Sequence, residues 1–248
     1  MIQKIIRNDK KLKIPNMSLN LSPTNLPTTI KTLKQIVAKP MVKPLAKIWS
    51  LIYKAAQAST PPSVIESAIV KKTNINKIIG HNTDIDGFEL GLRHFKYNVN
   101  DKKIFILGAG GVVSSIILAL KKAGASEIVL SNRTKEKAEN LKKKYSYLKV
   151  VDWGGISDSN IIINATSLGL KEDDEIKLNY ADIGPNKLFY DIIYNPGKTK
   201  FLSKAKQFGN QIENGKAMFA YQAQLAFEIW HGIKPTIDTK ILKLLDND

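Results

Sequence analysis

Cysteine is absent from the 248 residues. Disulfides, thiolate metal sites and cysteine nucleophiles are therefore excluded. The three histidines, His81, His94 and His231, are scattered without metal-ligand spacing, and no metal is expected. No run of about eighteen apolar residues occurs, so no transmembrane helix is expected. The early lysines are not followed by an apolar stretch and a small-residue cleavage site, which points to a cytoplasmic location. Apolar residues still make up 43% of the chain, enough for a sizeable core and too many for a disordered protein.

Two further absences are local. Glycine does not occur before Gly80, so all 15 glycines fall in residues 80–248. Acids are nearly missing from the same stretch: residues 1–79 hold Asp9 and Glu66 against fourteen Lys or Arg. Of the net charge of +16, +12 therefore sits in residues 1–79 and +4 in residues 80–248. A basic excess of this size suits a polyanion-binding arm. Against nucleic acid, residues 1–79 contain no helix-turn-helix or zinc pattern, and Trp49 and Tyr53 are their only aromatics. Seven of the ten prolines lie in the first 62 residues, and 55–63, with Pro61-Pro62, reads as a linker.

What is present after residue 80 is an alternation of short apolar runs and amphipathic segments. Strands are expected at Lys103–Leu107, Glu127–Ser131, Lys149–Val151, Ile161–Ile163, and Leu188–Tyr190 with Ile192-Ile193. Helices are expected from Val112 to Ala123 with Gly124 as C-cap, from an N-capping Thr134 to about Lys144, from Lys198 to Phe208, and from Ala217 to Trp230. This order predicts an α/β fold, a doubly wound parallel sheet of Rossmann type.

The first strand runs into Gly108-Ala109-Gly110-Gly111 and then a helix. Glycines at such a turn let the backbone approach a pyrophosphate, while the helix N-terminus supplies N–H donors. The third fingerprint position is Val113, which is not small, and an ordinary tight turn would look the same. The second strand ends in Ser131-Asn132-Arg133-Thr134, with Lys135 and Lys137 following. An NAD site places an acid there for the ribose hydroxyls; a guanidinium instead suits a 2′-phosphate, so NADP is expected rather than NAD. A solvated basic face, balanced by Glu136 and Glu139, is the alternative.

Several segments together resemble the shikimate dehydrogenase family. They are His81-Asn82-Thr83-Asp84, the glycine turn, Asn132-Arg133-Thr134, Asn164-Ala-Thr166-Ser167-Leu-Gly169, and Asp191-Ile-Ile-Tyr194-Asn-Pro196. Asn214-Gly215-Lys-Ala-Met218 with Gln222, and Phe227-Glu-Ile-Trp230-His-Gly232, complete the series. Their order and spacing are similar to the family from about residue 70 to 235. The resemblance implies NADPH-dependent, reversible reduction of 3-dehydroshikimate to shikimate, a step of aromatic amino acid biosynthesis. It implies Asp84 and a lysine flanking the reacting oxygen. Asn82, Gln222 and Tyr194 would contact substrate. Gly108, Ala109, Gly110, Gly111, Asn132, Arg133, Thr134, Lys137, Asn164, Thr166, Ser167, Gly215 and Met218 would contact NADP. Each has a plainer reading: Asp84 as a helix N-cap, Gln222 satisfied within a helix pair, Met218 as core filler, Tyr194 as a packed aromatic, and residues 164–167 as a strand-end turn.

Residues 1–69 depart from that family. Its carboxylate-binding turn and its lysine segment are not intact; Ser22-Pro23 matches the first faintly, and Val42 and Lys47 alone match the second. Lys47 is the candidate catalytic lysine. The expected division is a substrate domain of residues 1–84 and 218–248 with an aberrant N-terminal part, and a nucleotide domain of residues 85–217, in a monomer or homodimer. A replaced or frame-shifted N-terminal segment, leaving a catalytically impaired NADP(H)-binding relative, is the alternative, and polyanion binding through the basic arm is a third.

Overall fold

Both faces of the central strands are apolar because both are covered. In the computed structural model, which describes residues 81–155, 157–243 and 245, six parallel strands form one sheet. They are β1 (Lys103–Leu107), β2 (Glu127–Ser131), β3 (Leu148–Val151), β4 (Ile161–Asn164), β5 (Leu188–Asp191) and β6 (Gln211–Glu213). The helices are α1 (Asp84–His94), α2 (Val113–Lys122), α3 (Lys135–Lys144), α4 (Tyr180–Ile183), α5 (Lys200–Gln207), α6 (Lys216–His231) and α7 (Thr239–Lys243). The strand order is β3-β2-β1-β4-β5-β6, so the chain reverses its winding direction between β1 and β4. In such sheets ligands bind at the carboxyl ends of the strands beside that reversal.

Alternation along each strand divides the core into two layers. Ile104 and Ile106 of β1, Ile128 and Leu130 of β2, and Ile161 and Ile163 of β4 meet α1, α2 and α6 through Phe88, Ile116 and Met218. Phe105, Leu107, Val129, Ile162 and Phe189 point the other way, to Tyr180, Phe201 and Leu202 of α4 and α5. This is the packing that period-two strands require when helices cover both faces.

The expected elements are found with small shifts at their ends. The fifth strand stops at Asp191 and does not include Ile192-Ile193. Thr134 occupies the N-cap position of α3, but its side chain makes no capping bond. Asp84 is not an N-cap: Thr83 holds that position and Asp84 opens α1. Three elements were not expected at all: the short helix α4, the edge strand β6, and α7; α1 was implied only by the reading of Asp84 as a helix N-cap. Residues 1–69, including Lys47 and most of the expected substrate domain, lie outside the described residues. Among the described residues no helix is long and apolar enough to cross a membrane.

Candidate functional site

The carboxyl ends of β1, β2, β4 and β5 carry most of the candidate residues. At the end of β1 the chain turns sharply. Gly108 has φ +112°, and a Cβ there would lie 2.7 Å from the Ala165 carbonyl oxygen, so both backbone angle and space require glycine. Its N–H donates to Ser131 O at 2.7 Å, stitching the turn to β2. Ala109 N–H donates to Asn132 Oδ1 at 3.0 Å, and Asn132 Nδ2 donates to Thr134 O at 2.7 Å. Asn132 therefore ties the glycine turn to the loop bearing Arg133. The turn opens α2, whose N-terminus has no side-chain cap and no acid in its first turn. Exposed Gly110 and Gly111 at this helix start form a backbone cradle suited to a phosphate.

The basic residues after β2 divide into two kinds. Lys135, in the first turn of α3 where a cation opposes the helix dipole, is paired with Asp152 at 2.7 Å, which raises its pKa. Sequence reasoning assigned the balancing charge to a bound phosphate or to nearby glutamates; the carboxylate across the loop does that work for Lys135. Arg133 and Lys137 are exposed and form no ion pair among the described residues.

The loops after β4 and β5 share a buried polar hub. Asn164 is fully buried; its Nδ2 donates to Leu168 O and to Asp191 Oδ1, both at 3.0 Å. Its Oδ1 accepts from Thr166 N at 3.0 Å and Thr166 Oγ1 at 2.7 Å. Ser167 is exposed on the same turn. Asp191 is also fully buried and accepts from Ile193 N at 3.0 Å and Thr199 Oγ1 at 2.7 Å. Burial pushes its carboxyl up to about 6, against the pull of those bonds. Tyr194 stacks on Phe219 with ring centroids 4.3 Å apart.

Beyond this edge, α1 and α6 cross closely. Gly87 admits the approach, since a Cβ would lie 2.6 Å from Gln222 Cγ. Gln222 Nε2 donates to Asp84 Oδ1, joining residues 138 apart in sequence. Asp84 N–H donates to Asn82 Oδ1 at 2.9 Å, and Asn82 Nδ2 donates to the buried Ser115 Oγ at 3.0 Å. The half-buried Asp84 is thus oriented from both ends. Met218, one turn before Gln222, is buried in the core layer beside α1. Gly215 precedes α6, and Asn214 brackets it: Asn214 Oδ1 accepts from Lys216 N at 3.1 Å and Asn214 Nδ2 donates to Gly197 O at 2.8 Å. The described candidates lie in the strand-end loops, at the α1–α6 crossing or, for Lys137, in the first turn of α3. Sequence reasoning missed Ser115 and Asp152, and gave Asp191 and Thr199 no supporting role. A usable signal existed for Asp191, an acid closing an otherwise apolar strand.

Glu213, at the end of β6, is a separate feature. It lies across from Tyr190 in register, whose hydroxyl is buried without a hydrogen-bond partner among the described residues. It also lines an open groove of about 530 Å³ with Tyr97, Lys96 and Lys206. Desolvation pushes its carboxyl up to about 7. A raised acid pKa means that its stability contribution is present at low pH and lost as pH rises through about 7. Glu213→Gln should therefore melt higher than the parent at pH 8 and alike at about pH 4, below the ordinary carboxylate value, with the gap opening between the two. The difference at pH 8 should be on the order of 1 kcal/mol once solvent screening of the half-exposed group is allowed for. Thermal melts at the two pH values check this; an equal difference at both would count against it.

The winding reversal, the glycine turn and the helices on both faces of the parallel sheet define an α/β protein of Rossmann type. The chain belongs, more narrowly, to the shikimate / quinate 5-dehydrogenase family, whose model matches residues 89–174. It is 57% identical over 171 residues to shikimate dehydrogenase (NADP(+)) of Pelagibacter ubique, a match covering 69% of this chain and 64% of that protein. It is 37% identical over 198 residues to the protein of the same name from Caldicellulosiruptor saccharolyticus, covering 76% and 71%. Among solved structures it is similar to shikimate dehydrogenase from Aquifex aeolicus, with a TM-score of 0.60, 40% identity, and coverage of 68% and 62%.

Proposed function

We propose that this chain is an NADP-dependent shikimate dehydrogenase that reduces 3-dehydroshikimate reversibly to shikimate. The observation that carries the reading is the Gln222–Asp84 bond at the α1–α6 crossing. A plain helix cap would not need a glutamine from 138 residues away to orient its carboxylate. The names of the Pelagibacter and Caldicellulosiruptor relatives support both the reaction and the nucleotide.

The residues present fit NADP. The Gly108–Gly111 turn and the α2 N-terminus would hold the pyrophosphate, Arg133 and Lys137 the 2′-phosphate, and Thr166, Ser167, Gly215 and Met218 the remaining length; Asn164, expected as a contact, is fully buried with its amide engaged and holds the Thr166 turn instead. When bound, the nucleotide supplies or accepts the hydride. Asn82, Gln222 and Tyr194 would orient the substrate, with Asp84 accepting a hydrogen bond from its hydroxyl. Lys47 would exchange the proton at the reacting oxygen, its charged form favoured by the carboxylate. The same proposal takes residues 1–84 and 218–248 as the substrate domain and 85–217 as the nucleotide domain of a cytoplasmic monomer or homodimer.

The test is reduction of NADP⁺ by shikimate, followed by nicotinamide absorbance beside NADPH binding. Turnover supports the proposal. Binding without turnover favours the second reading, an impaired nucleotide-binding relative, which the broken lysine segment motivates. Arg133→Ala should lower the preference for NADP over NAD by roughly 10–100-fold, the loss of charged hydrogen bonds to a phosphate. A preference unchanged in that variant would exclude Arg133 as the 2′-phosphate ligand.

A further inference from the structure

We propose that Asp191 is a positioning residue that sets NADPH affinity by holding the loops after β4 and β5 in one arrangement. The inference rests on the nucleotide reading above. Three donors converge on this one carboxylate, and a fourth segment is reached through one of them. Through Asn164 it reaches the Thr166 turn, since the Asn164 amide donates to Asp191 Oδ1 while its carbonyl oxygen receives both Thr166 donors. Through Ile193 N it fixes the chain leaving β5. Ile193 O in turn accepts from Gly215 N at 3.2 Å, at the entrance to α6. Through Thr199 it holds the start of α5, where Thr199 Oγ1 donates to Asp191 Oδ2 and accepts from Leu202 N at 3.3 Å.

A fully buried carboxylate is costly to retain. It is accommodated here because it accepts from three donors, Asn164 Nδ2, Ile193 N and Thr199 Oγ1. Asn164 is the last residue of β4 and Asp191 the last of β5, paired in register. Below them the apolar ladder holds the strands together. Above them the side-chain hub takes over, where the candidate nucleotide residues begin. Losing the carboxylate would leave the Asn164 amide with one acceptor and free the Thr166 turn to swing, so the first quantity to change should be nucleotide affinity.

The experiment uses the full chain. NADPH dissociation constants, kcat and KM values are measured for the parent, Asp191→Ala, Asp191→Asn and Thr199→Val, each checked by thermal melting. Asp191→Ala is expected to weaken NADPH by on the order of tenfold or more, with kcat at saturating nucleotide within about threefold. Asp191→Asn, which keeps one acceptor oxygen for Asn164 and Ile193, should recover most of the affinity, and Thr199→Val should fall between. In a double-mutant cycle, Asp191→Ala with Thr166→Ala should weaken binding less than the product of the single effects, because both act through Asn164. A kcat loss at unchanged NADPH affinity, or effects that simply multiply, would overturn the proposal. Should Asp191→Ala fail to fold, Thr199→Val decides alone, and an unchanged dissociation constant there overturns it. No NADPH binding by the parent would instead overturn the nucleotide reading and this inference together, whereas tight parental binding retained in both variants removes this inference only.

Discussion

Gly215→Ala should be among the most damaging single-methyl substitutions in the molecule. The added Cβ would lie 2.1 Å from the Ile192 carbonyl oxygen and 2.6 Å from its carbon. Both are backbone atoms, so no side chain can rotate away. The backbone at Gly215 has φ −75° and ψ 2°, which any residue adopts, so the requirement is space and not conformation. The start of α6 would have to move off the chain leaving β5, breaking the Gly215 N–H bond to Ile193 O. Overpacking against rigid atoms costs about 3 kcal/mol at the upper end of its usual range. For a chain of this size that is a fall in Tm of about 6–12 °C. Gly197→Ala is the control: its Cβ would meet the end of the Lys216 side chain at 3.4 Å and Asn214 Nδ2 at 3.9 Å, ordinary contacts with side-chain ends, and Tm should hold within about 2 °C. Equal melting of Gly215→Ala and the control would show that this approach is not tight. NADPH affinity should fall with Gly215→Ala as well, since the displaced helix start carries Met218.

The parts legible in the sequence were those whose signal is local. Ile104-Phe-Ile-Leu107 reads as a strand because burial on both faces leaves no polar position to confuse the period. Gly108 reads as a turn because its φ excludes other residues. What stayed hidden depends on partners distant in sequence. In α1, Gly87 and Gly91 look like helix breakers, yet both face α6, where a larger residue would collide. Their propensity cost of about 1 kcal/mol each is offset by close helix packing. In β6, Gln211-Ile-Glu213 has no apolar run; it is a strand because Phe189 and its neighbours on β5 offer a free edge. Lys135 looked like part of an anion site until the fold brought Asp152 beside it. Asp84 is the most instructive position. Its neighbours suggest an N-cap, but the helix begins one residue earlier and the side chain turns to Gln222 instead.

Asp84→Asn should lower kcat for shikimate oxidation by about 10²–10⁴-fold while leaving NADPH affinity within about threefold. The substitution keeps the size of the side chain, and an amide oxygen can still accept from Gln222 Nε2. What it removes is charge and one acceptor oxygen. Asp84 Oδ1 is engaged by Gln222, and the Asp84 backbone is anchored through Asn82 to Ser115, so the second oxygen is held in place with no partner among the described residues. An oxygen so placed is prepaid in entropy for a substrate hydroxyl. The charge matters separately: a carboxylate keeps a neighbouring ammonium protonated, and an amide does not. The loss should therefore appear in kcat as well as in kcat/KM, and the pH–rate profile should shift on the limb that reports the proton donor. Gln222→Ala should show a smaller loss, because it loosens the carboxylate without neutralising it. If Asp84→Asn kept turnover within threefold with unchanged melting, Asp84 would be a structural residue of the α1–α6 crossing alone, and the proton chemistry would belong elsewhere in the chain.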